Sequence, residues 1–206
     1  FDLFLPEKRD FFLENAGIFD FGVRSAFGPP AFFLFFSRQI GIAEDGEVPV
    51  IGGARLSGRA GRQTIGVLDV VTDAAWDQQR TNFAVLRVKR DVGGNGYVGA
   101  MLTDRRSADT TNTAGGVDFS YWPGRALNVQ GFAAGTATTG PSGDDVAYRL
   151  ALDYQVDRWG LSLQHLAVGP DADARMGFIA RTDIRRTGAF GRLTPRPHAL
   201  GLRKVD

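Results

Sequence analysis

Residues 145–168 constrain the fold of this chain more than any other stretch. They read D-V-A-Y-R-L-A-L-D-Y-Q-V, then D-R, then W-G-L-S-L-Q-H-L-A-V. Val146, Tyr148, Leu150, Leu152, Tyr154 and Val156 share one parity, and Ala147, Arg149, Ala151, Asp153 and Gln155 share the other. A period of two places the two sets on opposite faces of a β-strand. Asp157-Arg158 leaves room only for a tight hairpin, after which Trp159, Leu161 and Leu163 restart the alternation. The strand is about 11 residues long, against a usual ~5–6, and close to the ~9–11 that a tilted strand needs to cross a bilayer. Its apolar face also carries Tyr154 and Trp159 beside the hairpin and Tyr148 at the far end, as an interfacial aromatic girdle does.

Composition narrows the class. With 24 basic and 23 acidic residues and a net charge of +1, there is no electrostatic footprint for nucleic acid. The chain has no cysteine, hence no disulfide framework and no thiolate metal site. The 27 glycines, spread through the strand-like stretches, suit a curved sheet with close backbone approaches. Residues 31–36 form the longest apolar run, far short of the ~20 residues of a membrane helix. The first residues, F-D-L-F-L-P, include no initiator Met or cleavable apolar segment, and R-K-V-D at the end looks like the start of another strand. The chain therefore reads as a fragment of a longer protein.

Strands can be drawn at about 32–41, 50–58, 63–73, 81–90, 96–105, 113–121, 126–136, 145–156, 159–168 and 176–194, with one more from about 200. All nine prolines fall outside them. The links alternate between tight turns and longer polar loops such as D-A-A-W-D-Q-Q-R and D-R-R-S-A-D-T-T-N-T. Tyr121, Trp122, Tyr154 and Trp159 all fall at the tight-turn rim. Short turns on one rim, long loops on the other and an aromatic belt are features of outer-membrane barrels. The expected fold is all-β: an antiparallel, transmembrane β-barrel fragment, an up-and-down meander of about eleven strands spanning residues 31–206. Residues 1–30 form a separate Phe-rich segment, since eleven of the 16 phenylalanines occur by Phe36. That segment is expected on the periplasmic side or plugging the barrel mouth, with Glu7, Lys8, Arg9 and Glu14 meeting charges of the lumen. A soluble sandwich or lipocalin-like barrel is the competing architecture.

The polar parity assigns Arg55, Arg87, Lys89, Asp118, Gln130, Arg149, Asp153, Arg181, Asp183 and Arg185 to the lumen. Interleaved charges of both signs either select a solute or pair with each other to stabilise a polar wall. Of the two histidines, His165 lies on the apolar parity and His198 in a proline-bounded turn, and neither has an obvious serine or aspartate partner. D-A-D at 171–173 lacks the glycine bend and closing Glu of a calcium loop, so no metal or cofactor is expected. G-G-N-G at 93–96 is a turn rather than a phosphate loop, because no helix follows it.

F-L-P-E-K-R-D-F-F-L-E-N at 4–15, L-F-F-S-R-Q-I-G at 34–41, I-G-G-A-R-L-S-G-R at 51–59, I-G-V-L-D-V-V-T-D at 65–73 and N-F-A-V-L-R-V-K-R-D at 82–91 carry a family resemblance. They resemble the barrel region of a bacterial outer-membrane family known as domain of unknown function 5916, and the likeness extends over essentially the whole chain. The P-E-K-R-x-F-F-L-E and S-R-x-I-G blocks are its most specific parts. Asp10 stands where the family has proline, and Phe36 and Gln39 where it has tyrosine and arginine. The resemblance implies a place in the bacterial outer membrane, a family-9-like carbohydrate-binding module upstream in the full-length chain, and an association with carbohydrate use. It supplies no catalytic residues. The expected function is a non-enzymatic pore or uptake channel for carbohydrate or another small solute, with outer-membrane lipid as its surroundings. The alternatives are a plugged anchor for the attached module and an outer-membrane hydrolase.

Overall fold

The structure is a computed structural model that describes residues 7–22, 32–43, 45–140 and 146–194. Its chain opens with one helical turn, α1 (Asp10–Leu13), and a 3₁₀ turn (Ala16–Phe19). Three two-residue strands follow, β1 (Phe32–Phe33), β2 (Ile42–Ala43) and β3 (Gly46–Glu47), with a 3₁₀ turn (Ser37–Gln39) between the first two. Then come β4 (Val50–Ala60), β5 (Gln63–Thr72), β6 (Thr81–Val92), β7 (Gly96–Arg106), β8 (Thr111–Tyr121), β9 (Leu127–Thr138), β10 (Val146–Gln155) and β11 (Trp159–Val168). The last two are β12 (Phe178–Ile179) and β13 (Ile184–Leu193).

β4 to β11 and β13 form one nine-stranded antiparallel sheet in which every strand pairs with its neighbour in sequence order, apart from the short β12. The long strands run 10 to 12 residues. β4 and β13 are its two edges, so the sheet is an open meander. Among the described residues no helix is long and apolar enough to cross a membrane, which says nothing about crossing by strands.

Two expected strands differ. The 32–41 stretch is broken, because Phe32, Leu34 and Ile40 turn onto the buried face and Arg9 captures the carbonyls of Ser37 and Ile40, at 2.9 and 2.6 Å. The 176–194 stretch is interrupted at Asp183, whose φ of 51° takes the chain out of the extended region. The strand expected from about residue 200, like His198, lies outside the described residues. The D-R-R-S-A-D-T-T-N-T loop is also shorter than expected, since β7 and β8 extend to leave only residues 107–110 between them.

The two faces of the sheet have opposite character. On the outer face Leu56, Leu86, Val98, Leu102, Val117, Leu150 and Leu161 stand exposed, from 40 to 69 %. Tyr121, Trp122 and Trp159 are exposed at the tight-turn rim and Tyr148 towards the other, while Tyr154 lies 4.8 Å from Trp159, centroid to centroid. The inner face is buried, and its core mixes Phe83, Val85, Met101 and Phe132 with Arg87, Asn112, Asp118, Gln130, Arg149 and Gln164.

Other parts of the same chain cover that inner face. Phe12, Phe19 and Phe21 are buried against it, and Phe21 and Phe32 both pack on Phe132 of β9. The sheet accommodates these rings where it has no side chain. A Cβ at Gly66 would stand 2.7 Å from Ile18, and one at Gly116 would stand 2.8 Å from Phe21. At the long-loop rim the 169–183 link also folds inward, and β12 pairs with β1. Asn112 donates to the Asp173 carbonyl at 2.7 Å and accepts from the Arg175 amide at 3.0 Å, while Thr136 accepts from the Asp173 amide at 3.0 Å.

Candidate functional site on the inner face

The centre of the inner face is an ion pair between β6 and β8. Arg87 and Asp118 are joined twice, Nη1 to Oδ1 at 2.6 Å and Nη2 to Oδ2 at 2.9 Å, and both side chains are 0 % exposed. They meet across β7 over Gly99, where a Cβ would come within 2.6 Å of the guanidinium and 2.7 Å of the carboxylate. Glycine is the residue that lets the two strands on either side exchange a fork-to-fork contact here.

Two further donors converge on Asp118. The Tyr97 hydroxyl donates to Oδ2 at 3.0 Å, and the backbone N–H of Gly22 donates to the same oxygen at 3.0 Å. Phe21 lies over the guanidinium, 5.6 Å from ring centroid to Arg87 Cζ. The buried carboxylate is well satisfied by a bidentate arginine, a hydroxyl and an amide, while among the described residues Arg87 Nε has no hydrogen-bond partner. The same contacts tie the N-terminal segment to the middle of the sheet.

Arg55 makes a second tie. It donates to the carbonyl of Phe11 at 2.6 Å and to that of Glu14, so one guanidinium from β4 holds the C-terminal end of α1. The carboxylate of Glu14 is 3.8 Å away and largely exposed, and contributes little beside those carbonyl contacts.

The other expected lumen residues divide into three groups. Lys89 faces inward, its ammonium 4.5 Å from the Tyr97 ring centroid. Arg149 and Asp153 also face inward, and each has an amide partner: Arg149 Nε donates to Gln164 at 2.9 Å, and Gln130 donates to Asp153 at 3.1 Å. Arg181, Asp183 and Arg185 require correction. Arg181 and Asp183 are exposed in the break before β13. Arg185 pairs with Ala167, and Ala167 with Tyr148, so the register puts Arg185 on the outer face.

The charges of the N-terminal segment also differ in their partners. Glu7 accepts from Arg9 Nη2 at 2.7 Å, Arg9 Nε at 2.9 Å and the Ser37 hydroxyl at 2.7 Å. Glu7 and Arg9 therefore engage each other and residues 37–40 rather than charges of the sheet, and Lys8 is exposed. Burial alone raises the Glu7 carboxyl, but the hydrogen bonds from Arg9, Ser37 and the Lys8 amide outweigh it and hold the group down at about 2.

Among the described residues nothing around His165 resembles a catalytic pair. It lies on the outer face, where Nδ1 and the Thr187 hydroxyl are 2.8 Å apart and the Tyr148 ring is 5.9 Å away. Asp173 of the D-A-D loop is engaged by Thr138 and Arg175, and the described residues contain no group of three or more potential metal ligands. Sequence reading overlooked Tyr97, Gly22 and Asn112. Tyr97 shares the inward parity of Gly99 and Met101, which is the signal that marks it.

Comparisons with protein-family models, curated proteins and solved structures found no match for this chain.

Proposed function

We propose that this chain is the membrane-embedded part of a bacterial outer-membrane β-barrel whose interior is occupied by its own N-terminal segment. On this reading it serves as a plugged membrane anchor rather than a standing pore. The carrying observation is the inversion of the sheet: exposed leucines and valines on one face, and a fully buried ion pair tied to the segment on the other. Lipid is the surroundings in which such an exposed apolar face is favourable, and a barrel is the arrangement that leaves no unpaired edge within it.

The in-folded segment favours the anchor over an open channel, because Phe12, Phe19 and Phe21 occupy the inner face that a solute would have to pass. The resemblance to the family known as domain of unknown function 5916 supports the outer-membrane location. It adds a carbohydrate-binding module, in the longer protein, as what such an anchor would carry.

Planar-bilayer recording of the full-length protein tests the proposal. The intact protein should insert and remain closed, and removal of residues 7–22 should open a conductance. Steady conductance by the intact protein, reduced by an added oligosaccharide, would instead make it an uptake channel.

A further inference from the structure

A cleft of about 500 Å³ lies between the N-terminal segment, the 33–37 stretch and the sheet. Its described walls are dominated by Phe12, Phe19, Phe21, Phe33, Phe35 and Phe36. Glu7, Asp20, Ser37, Lys89 and Tyr97 supply polar groups at its margins, and the phenylalanines between them suit an apolar body. The sheet contributes Lys89 from β6 and Tyr97 from β7.

The carboxylates around Lys89 are already engaged. Asp118 belongs to Arg87, Asp91 two residues along β6 pairs with Arg59, and Glu7 at the cleft wall pairs with Arg9. Asp20, also on the wall, has an interaction of its own and attracts the Lys89 ammonium as well. The Lys89 ammonium rests on the face of Tyr97, 4.5 Å from its centroid, at the cleft wall where an entering anion can meet it.

We infer that this cleft binds a monoanionic amphiphile, an alkyl or aryl carboxylate whose head meets Lys89 and whose body lies among the phenylalanines. The inference concerns the inner face alone and does not depend on what the outer face meets. Ion pairing in a half-open cleft with apolar walls is stronger than on a flat surface, and the walls add burial of the ligand's tail.

Titration calorimetry with decanoate, below its micelle concentration and on the full-length protein in amphipol, provides the test. Decanoate should bind saturably at one site. Decan-1-ol, which lacks the charge, and acetate, which lacks the body, should each bind at least about tenfold more weakly. Lys89→Met should weaken decanoate about tenfold, whereas Lys89→Arg keeps the cation and should retain binding. Ala16→Phe, which adds a ring at the cleft wall, should also weaken it at least about tenfold. Unfolding midpoints of the variants, matched to the parent, separate loss of the site from loss of the fold. Non-saturable uptake equal in the parent, Lys89→Met and Ala16→Phe would overturn the inference, as would decan-1-ol binding as tightly as decanoate.

Discussion

Gly22 donates its backbone N–H to Asp118 at 3.0 Å across 96 residues of sequence. That bond makes the N-terminal segment and the centre of the sheet one structural unit, since the same carboxylate is held by Arg87 and Tyr97. Loss of Asp118 should therefore be felt in both parts at once.

Asp118→Asn leaves the Arg87 guanidinium buried without its counter-ion, and should destabilise the protein by about 3 kcal/mol or more. Replacing both partners, Arg87→Met with Asp118→Leu, should recover much of that loss, because no uncompensated charge remains. Urea unfolding of the single and double variants in lipid micelles measures the difference. A single variant as stable as the parent would show that the pair contributes nothing.

Arg55 acts on the segment without being part of the central pair. Arg55→Ala removes two hydrogen bonds from a charged donor to the carbonyls of Phe11 and Glu14, and should cost the docked segment about 1.5–3 kcal/mol. Hydrogen exchange should accelerate at the amides of residues 12–14 while those of β7 and β8 remain protected. Uniform acceleration across the sheet would contradict this division.

The pH dependence of docking follows from Glu7. Its folded carboxyl, at about 2, lies below its ordinary 4.5, so the charged form is the one stabilised by folding. The contribution is fully present above about 4.5 and is lost as the pH falls towards about 2. Exchange protection of the Phe12 amide, corrected for intrinsic rate, should decline over that window, and Glu7→Gln should flatten the decline. A decline that persists in Glu7→Gln would assign it to another carboxylate.

How much of this was legible in the sequence depended on how local each signal was. The alternation of Arg149 and Leu150 is a property of neighbouring residues, and it predicted the two faces of β10 and the hairpin to Trp159. Arg185 was misassigned because parity cannot be carried through a residue such as Asp183, where the chain leaves the extended region and β13 takes its register afresh from β11. The phenylalanine-rich segment showed no period because it packs as short helical turns, and its partners Gly66, Gly116 and Asp118 are distant in the chain. Tyr97 carries the inward parity of Gly99 and Met101, but its partner Asp118 lies 21 residues away in the chain, so parity alone did not reveal the contact.

The central claim is that the outer face of the sheet lies in lipid, and the absence of cysteine from this chain makes it open to site-directed spin labelling. Labels would be placed singly at Leu102 and Leu150, in the middle of the outer face, and at Gln63 and Asp157, at the tight-turn rim. With the protein reconstituted in vesicles, collision rates with oxygen and with a water-soluble nickel chelate report what each label meets. The account predicts that Leu102 and Leu150 are accessible to oxygen and shielded from nickel, with Gln63 and Asp157 the reverse. Labels at Leu102 and Leu150 as open to nickel as those at the rim would contradict it.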